Sequence, residues 1–252
     1  MFENEVLRHF KETLTNIHKE FDAAHHSELK ELSEYISKIY SILAKVINYS
    51  NQNLITDVQF ADAMMLWRGT NTIIASFELV RNGYGIEPLV TLRNALETSC
   101  TAIDLFKNPT KYEAFKEKRY KSSNSIIEAK KIIPVIGKFY GMLSNSYSHV
   151  SFASLLPQYY KDETDTVVLT TGGVYVKENE WNLNINLSLI SFILSIYLAS
   201  VEYIFFKFCD KSTFWRQIDV NSIIFNLSKE EIEKNIKRIE KVLKALASLN
   251  KQ

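Results

Sequence analysis

Cysteine, proline and glycine are scarce in this chain: 2, 4 and 7 residues respectively out of 252. All-β folds need frequent turn residues, and small disulfide-stapled domains need many paired cysteines, so the composition argues against both and for an all-α class. Cys100 and Cys209 lie far apart in apolar stretches, without the spacing of a zinc or redox motif, and are predicted to be packed thiols. Charge of one sign is missing too. With 30 basic and 29 acidic side chains the net charge is +1, so no global field draws the chain to DNA, RNA or an anionic membrane, and any polyanion site must be local. There is no glycine-rich phosphate loop, nucleophile elbow, His-Glu-x-x-His or paired-cysteine knuckle, which lowers the case for the familiar hydrolases and nucleotide binders. The start, Met1-Phe-Glu-Asn-Glu-Val, carries acid where a secretory signal carries base, and a cytoplasmic location is expected.

What is present is helical periodicity. The expected architecture is one helical domain over 1–252, an all-α bundle with an N-terminal helical pair at 1–50 and a small β-hairpin inserted at 166–177. Val6, Phe10, Leu14, Ile17 and Phe21 predict a first helix over Asn4 to Asp22. Leu29, Leu32, Ile36, Ile39, Leu43 and Val46 predict a second, capped by Ser27 and ending near Tyr49. A third, capped by Asp57, carries Phe60, Met64, Trp67, Ile74 and Phe77, with a bend at Gly69, and stops at Asn82-Gly83-Tyr84-Gly85. Pro88 opens a fourth helix that runs to about Phe106. After Asn108-Pro109 comes a charged helix from Lys111 to about Lys131, whose interleaved signs predict a solvated face, and then a shorter segment from Pro134 through Gly137 and Gly141. Val167-Val168-Leu169 and Val174-Tyr175-Val176 flank Thr170-Thr171-Gly172-Gly173, the pattern of two strands and a glycine turn. A capping box at Ser228-Lys-Glu-Glu231 begins a last helix with Ile232, Ile236, Ile239, Leu243 and Leu246, which is expected to dock on the bundle or join a second copy.

No charged residue occurs between Glu180 and Glu202, a run about long enough to span a bilayer. Asn182, Asn184, Asn186, Ser188, Ser191, Ser195 and Ser200 dilute it, and no basic flank follows. The run therefore predicts a central bundle helix, apolar nearly all round, with a small-residue stripe along Ser188, Ser191, Ser195 and Ala199.

Three constellations could carry chemistry. Arg81, Arg93 and Glu97 gather around the Asn82–Gly85 turn, with Arg93 and Glu97 one helical turn apart and Cys100 and Asp104 continuing their face. This is either an ordinary ion pair or an arginine fork for a phosphate, oriented by Glu97. Asn145, Ser146, Tyr147, Ser148 and His149 form a dense run of hydrogen-bonding groups, in which an imidazole titrating near neutrality can serve as general acid or base, or simply pack at a helix end. His18, Asp22 and His25, with His26 beside them, have helical spacings that suit a metal, yet no second ligand cluster follows and no metal is expected.

From Gly83 to Glu97, including Ile86-Glu-Pro-Leu-Val-Thr-Leu-Arg93-Asn-Ala-Leu-Glu97, and again at Ser146-Tyr-Ser-His149, the chain resembles a bacterial helical branch of the HEPN superfamily. The resemblance extends over about Ala61 to Leu156. It implies a helical bundle, often dimeric, of the kind found in antiviral and toxin systems, many members of which cut RNA with an arginine, a following polar residue and a histidine on one helix. His149 is the matching histidine. The pattern departs at the arginine: none lies within six residues before His149, and Asn145 is the nearest strong polar residue. The resemblance thus implies a nucleic-acid- or nucleotide-associated protein, either a metal-independent ribonuclease using His149, Arg93 and Glu97 or a non-catalytic module. A helical scaffold that binds a protein partner or a second copy of itself is the alternative. No cofactor is expected.

Overall fold

A computed structural model describes residues 14–52, 54–147, 159–161, 167–169 and 180–209. Eight α-helices are seen within them: α1 Leu14–Ala24, α2 His26–Ser50, α3 Asp57–Arg81, α4 Glu87–Lys107, α5 Tyr112–Lys116, α6 Ser122–Ala129, α7 Val135–Tyr147 and α8 Glu180–Ile204. The architecture is an all-α bundle. Helices α3 and α4 make the most extensive pairing, and α8 packs against α2, α3 and α4.

The sequence patterns explain most boundaries. Thr56 caps α3 in a capping box: its hydroxyl accepts from Gln59 N at 3.3 Å, and the Gln59 amide oxygen accepts from Thr56 N at 3.0 Å. The expected cap, Asp57, is instead the first helical residue, where its negative charge faces the positive end of the helix dipole. Ser27 does not cap α2 either. That helix begins at His26, with His25 at the cap position, and the Ser27 hydroxyl donates to Glu28 at 2.6 Å. At the far end of α3, Gly83 adopts φ 79°, so that Tyr84 N reaches Leu79 O at 3.0 Å and Gly83 N reaches Val80 O at 2.8 Å, closing the helix as the Asn82-Gly83 signal predicted.

The charged helix expected from Lys111 to Lys131 is broken in two. Lys118 takes a left-handed φ of 58°, and Arg119 N bonds Ala114 O at 2.9 Å while Lys118 N bonds Phe115 O at 3.1 Å. This is the same helix-ending pattern as at Gly83, built with a lysine and therefore invisible to a search for glycine. The break turns Tyr120 back toward α4, where its hydroxyl donates to Asp104 at 2.6 Å.

The core confirms the stripe of α2, with Leu32, Ile39, Leu43 and Val46 buried, and shifts that of α3. Phe60 and Met64 are exposed, and the buried face runs through Ala63, Leu66, Gly69, Thr70, Ile73, Ser76, Phe77 and Val80. Small residues on that face allow close helix contact: Ser76 Oγ donates to the Pro88 carbonyl of α4 at 2.7 Å. Helix α8 is buried on nearly every side, from Leu187 through Ile204. Its Asn186–Ile204 stretch is, among the described residues, the one helix long and apolar enough to cross a membrane, and 78% of that window is buried inside the bundle. Ser99 and Ser200 meet at 2.7 Å where α8 crosses α4.

Two three-residue strands, β1 Tyr159–Lys161 and β2 Val167–Leu169, pair antiparallel with Tyr159 opposite Leu169. The hairpin expected over 166–177 is not shown, because Thr170–Gly173 and Val174–Val176 lie outside the described residues. The first helix before Leu14 and the capping box and stripe at 228–246 lie outside them as well.

Candidate functional site

Helices α4 and α7 pack together, and a polar cluster sits between them. Arg93 and Glu97, one turn apart on α4, form the expected ion pair at 3.2 Å. Tyr140 of α7 joins it: Arg93 Nη2 donates to the Tyr140 hydroxyl at 3.2 Å, and that hydroxyl donates to Glu97 Oε1 at 2.9 Å. The guanidinium also lies over the Tyr140 ring, 5.3 Å from its centroid. The hydrogen bond to Tyr140, with Glu97 adding its charge, raises the Arg93 pKa above its ordinary value, so the cation is permanent.

The Arg93 and Glu97 side chains are 28% and 29% exposed, which leaves the cluster open to solvent. Of the Arg93 guanidinium nitrogens, Nη2 alone has hydrogen-bond partners among the described residues, and the buried Nε has none. A guanidinium fixed from one side, with donors left over, is suited to a planar two-point contact with a phosphate or carboxylate.

No family model, characterised protein or solved structure matches this chain. The candidate site therefore rests on its own geometry. Asn145, Ser146 and Tyr147 lie in the last turn of α7, the helix that carries Tyr140, so the backbone brings this run and Arg93 onto packed neighbours. The side chains of Asn145, Ser146 and Tyr147 are outside the described residues, and so are Ser148 and His149.

Arg81 does not join the cluster. Its Nε and Nη2 grip Asp22 of α1 at 2.8 and 2.5 Å, and Nη1 reaches Glu78 at 3.4 Å. The hydrogen bond from Arg81 holds the Asp22 carboxyl below its usual range. The same interaction dissolves the His18, Asp22 and His25 constellation. Asp22 is committed to Arg81, His18 Nε2 lies 2.7 Å from the Asn82 amide oxygen, and His25 is buried beside the Phe21 ring. Among the described residues no group of three or more His, Cys, Asp or Glu could hold a metal.

Cys100 and Asp104, expected to continue the Arg93–Glu97 face, are fully buried. Asp104 is satisfied by Lys111 Nζ at 2.8 and 3.0 Å, Asn108 at 2.7 Å and Tyr120 at 2.6 Å. Burial by itself would raise its pKa, but these donors outweigh it and hold the carboxyl below the ordinary value. Burial pushes the Cys100 thiol well up, which makes it a packing group. The strip is thus open only at its Arg93–Glu97 end. Tyr140 is the site residue that sequence reasoning missed: it is one of 13 tyrosines, 47 positions from Arg93, and no local motif marks it.

Proposed function

We propose that this chain is a HEPN-like nucleic-acid- or nucleotide-associated protein in which Arg93, oriented by Glu97 and Tyr140, takes a phosphate of RNA or of a nucleotide. The supporting observation is the Tyr140 hydroxyl, which bridges Arg93 and Glu97 across two helices and leaves the guanidinium with unused donors beside solvent. In this reading Asn145, Ser146, Tyr147 and Ser148 add hydrogen bonds to the ligand. His149 supplies the acid–base group of a metal-independent ribonuclease, acting as an effector in a phage-defence or toxin system in the bacterial cytoplasm.

Anisotropy with a labelled single-stranded RNA and with a nucleotide, paired with a cleavage assay in chelator, tests this on the full chain. Arg93→Ala is expected to weaken binding by about ten- to a hundredfold, the loss of one charge-assisted contact. Tyr140→Phe should weaken it less, and His149→Ala should abolish cleavage while leaving binding intact. Equal binding by the parent and Arg93→Ala refutes the phosphate role, and cleavage that survives His149→Ala refutes the catalytic one.

A helical scaffold that joins a protein partner or a second copy is favoured by one observation: Phe60 and Met64, a turn apart on α3, are 39% and 46% exposed. Light scattering of the parent beside Phe60→Ser/Met64→Ser separates a homo-oligomer from a monomer.

A further inference from the structure

Asp62 lies on α3, one turn before Leu66, and its side chain is completely buried. Among the described residues, neither carboxylate oxygen has a hydrogen-bond partner. Asp104, equally buried, shows what an ionised carboxylate needs in such a place: a lysine, a tyrosine and an asparagine all donate to it. Asp62 has none of these. An ionised carboxylate without donors in a packed interior is strongly disfavoured, and the group takes up a proton instead.

The surroundings give it no other escape. Helices α1, α2, α4 and α8 pack against α3. Their ionisable groups are His18, Lys19, Glu20 and Asp22 on α1, His26, Glu28, Lys30, Glu31, Glu34, Tyr35, Lys38, Tyr40, Lys45 and Tyr49 on α2, Glu87, Arg93, Glu97, Cys100, Asp104 and Lys107 on α4, and Glu180, Tyr197, Glu202 and Tyr203 on α8. None of them bonds the Asp62 oxygens, and burial alone shifts the carboxyl, up to about 8. Just beyond Asp62 the packing is close: Tyr197 of α8 donates to Leu66 O at 2.9 Å and lies against Gly69.

We propose that Asp62 is a proton-operated latch: the bundle closes around its neutral acid, and loss of that proton loosens the N-terminal half of α3 from α4 and α8. The linkage has a definite sign. An unfolded aspartate titrates near 3.8, so the folded chain holds an extra proton between that value and about 8. Stability contributed by the neutral acid is therefore complete below about pH 4, declines across the interval and is level above about pH 8. A rise from pH 7 to 8 takes the charged fraction in the folded state from about a tenth to about a half.

Two measurements on the full chain test the latch. The carboxyl carbon of Asp62, followed by NMR, should titrate with a midpoint near 8, and a midpoint below about 6 would overturn the proposal. Urea midpoints against pH should then fall between about pH 5 and 8 for the parent relative to Asp62→Asn, which carries no such proton. Parallel profiles for the two proteins would also overturn it. If Asp62→Asn fails to fold, the carboxyl titration, which needs no variant, decides alone.

Discussion

The hydroxyl of Tyr197 fills the space that a side chain on Gly69 would require: a Cβ at Gly69 would stand 1.9 Å from Tyr197 Oη and 2.8 Å from its Cζ. Tyr197 is fully buried and donates to the Leu66 carbonyl, which also accepts from Thr70 Oγ1 at 2.8 Å. The central helix is thereby pinned to α3 by a polar contact deep in an apolar core, where a lost partner is costly. Gly69, where the sequence suggests a bend in α3, admits this ring.

Gly69→Ala should therefore destabilise the fold by about 1–3 kcal/mol, the usual cost of overpacking, although alanine is the better helix former. Adding Tyr197→Phe removes the nearest clashing atom and should recover part of the loss. A double-mutant cycle in urea reads the coupling, and additive effects would contradict the contact.

Asp104 predicts a second loss. Asp104→Ala strands Lys111, Asn108 and Tyr120, and should cost roughly 3 kcal/mol, near the lower end for a buried pair because Lys111 is 39% exposed. The Asp104 carboxyl is held below its ordinary value, so its contribution is present above about pH 4 and disappears as pH falls through the lowered folded pKa. Acid unfolding followed by circular dichroism should show the parent losing this margin while Asp104→Ala, already without it, changes less.

Asp22 and Arg81 set the docking of α1. The pair is part-exposed, 38% and 26% for the two side chains, so solvent screening limits it to about 1 kcal/mol. Asp22→Asn should raise hydrogen exchange in 14–24 several-fold, with little change in α4. The difference should shrink in molar salt and, because the Asp22 pKa is lowered, also as pH falls below about 4. An effect insensitive to salt would point to packing in place of charge.

Legibility differed by kind of signal. The α2 stripe at Leu32, Ile39, Leu43 and Val46, the Gly83 stop, Pro88 near the start of α4 and the Arg93–Glu97 pair were readable because each is a matter of residues a few positions apart. On α3 the expected stripe holds at Phe77 and fails at Phe60 and Met64, which face solvent, because the small residues Ala63, Gly69 and Ser76 share the packed face with Leu66 and Ile73 and carry no hydrophobic signal of their own. The split between α5 and α6 escaped notice because a lysine occupies a position where glycine is the usual signal.

Composition and periodicity alone determined the all-α class, the helix spacing and the central place of the strongly apolar α8, because local backbone preference and the hydrophobic effect act on the pattern itself. Only the tertiary structure decided which polar groups meet. Arg81 went to Asp22, Arg93 to Tyr140, Asp104 to Tyr120 and Asp62 to none of the described residues. Partners 16 to 59 residues apart are selected by helix packing, and no local spacing encodes such an encounter.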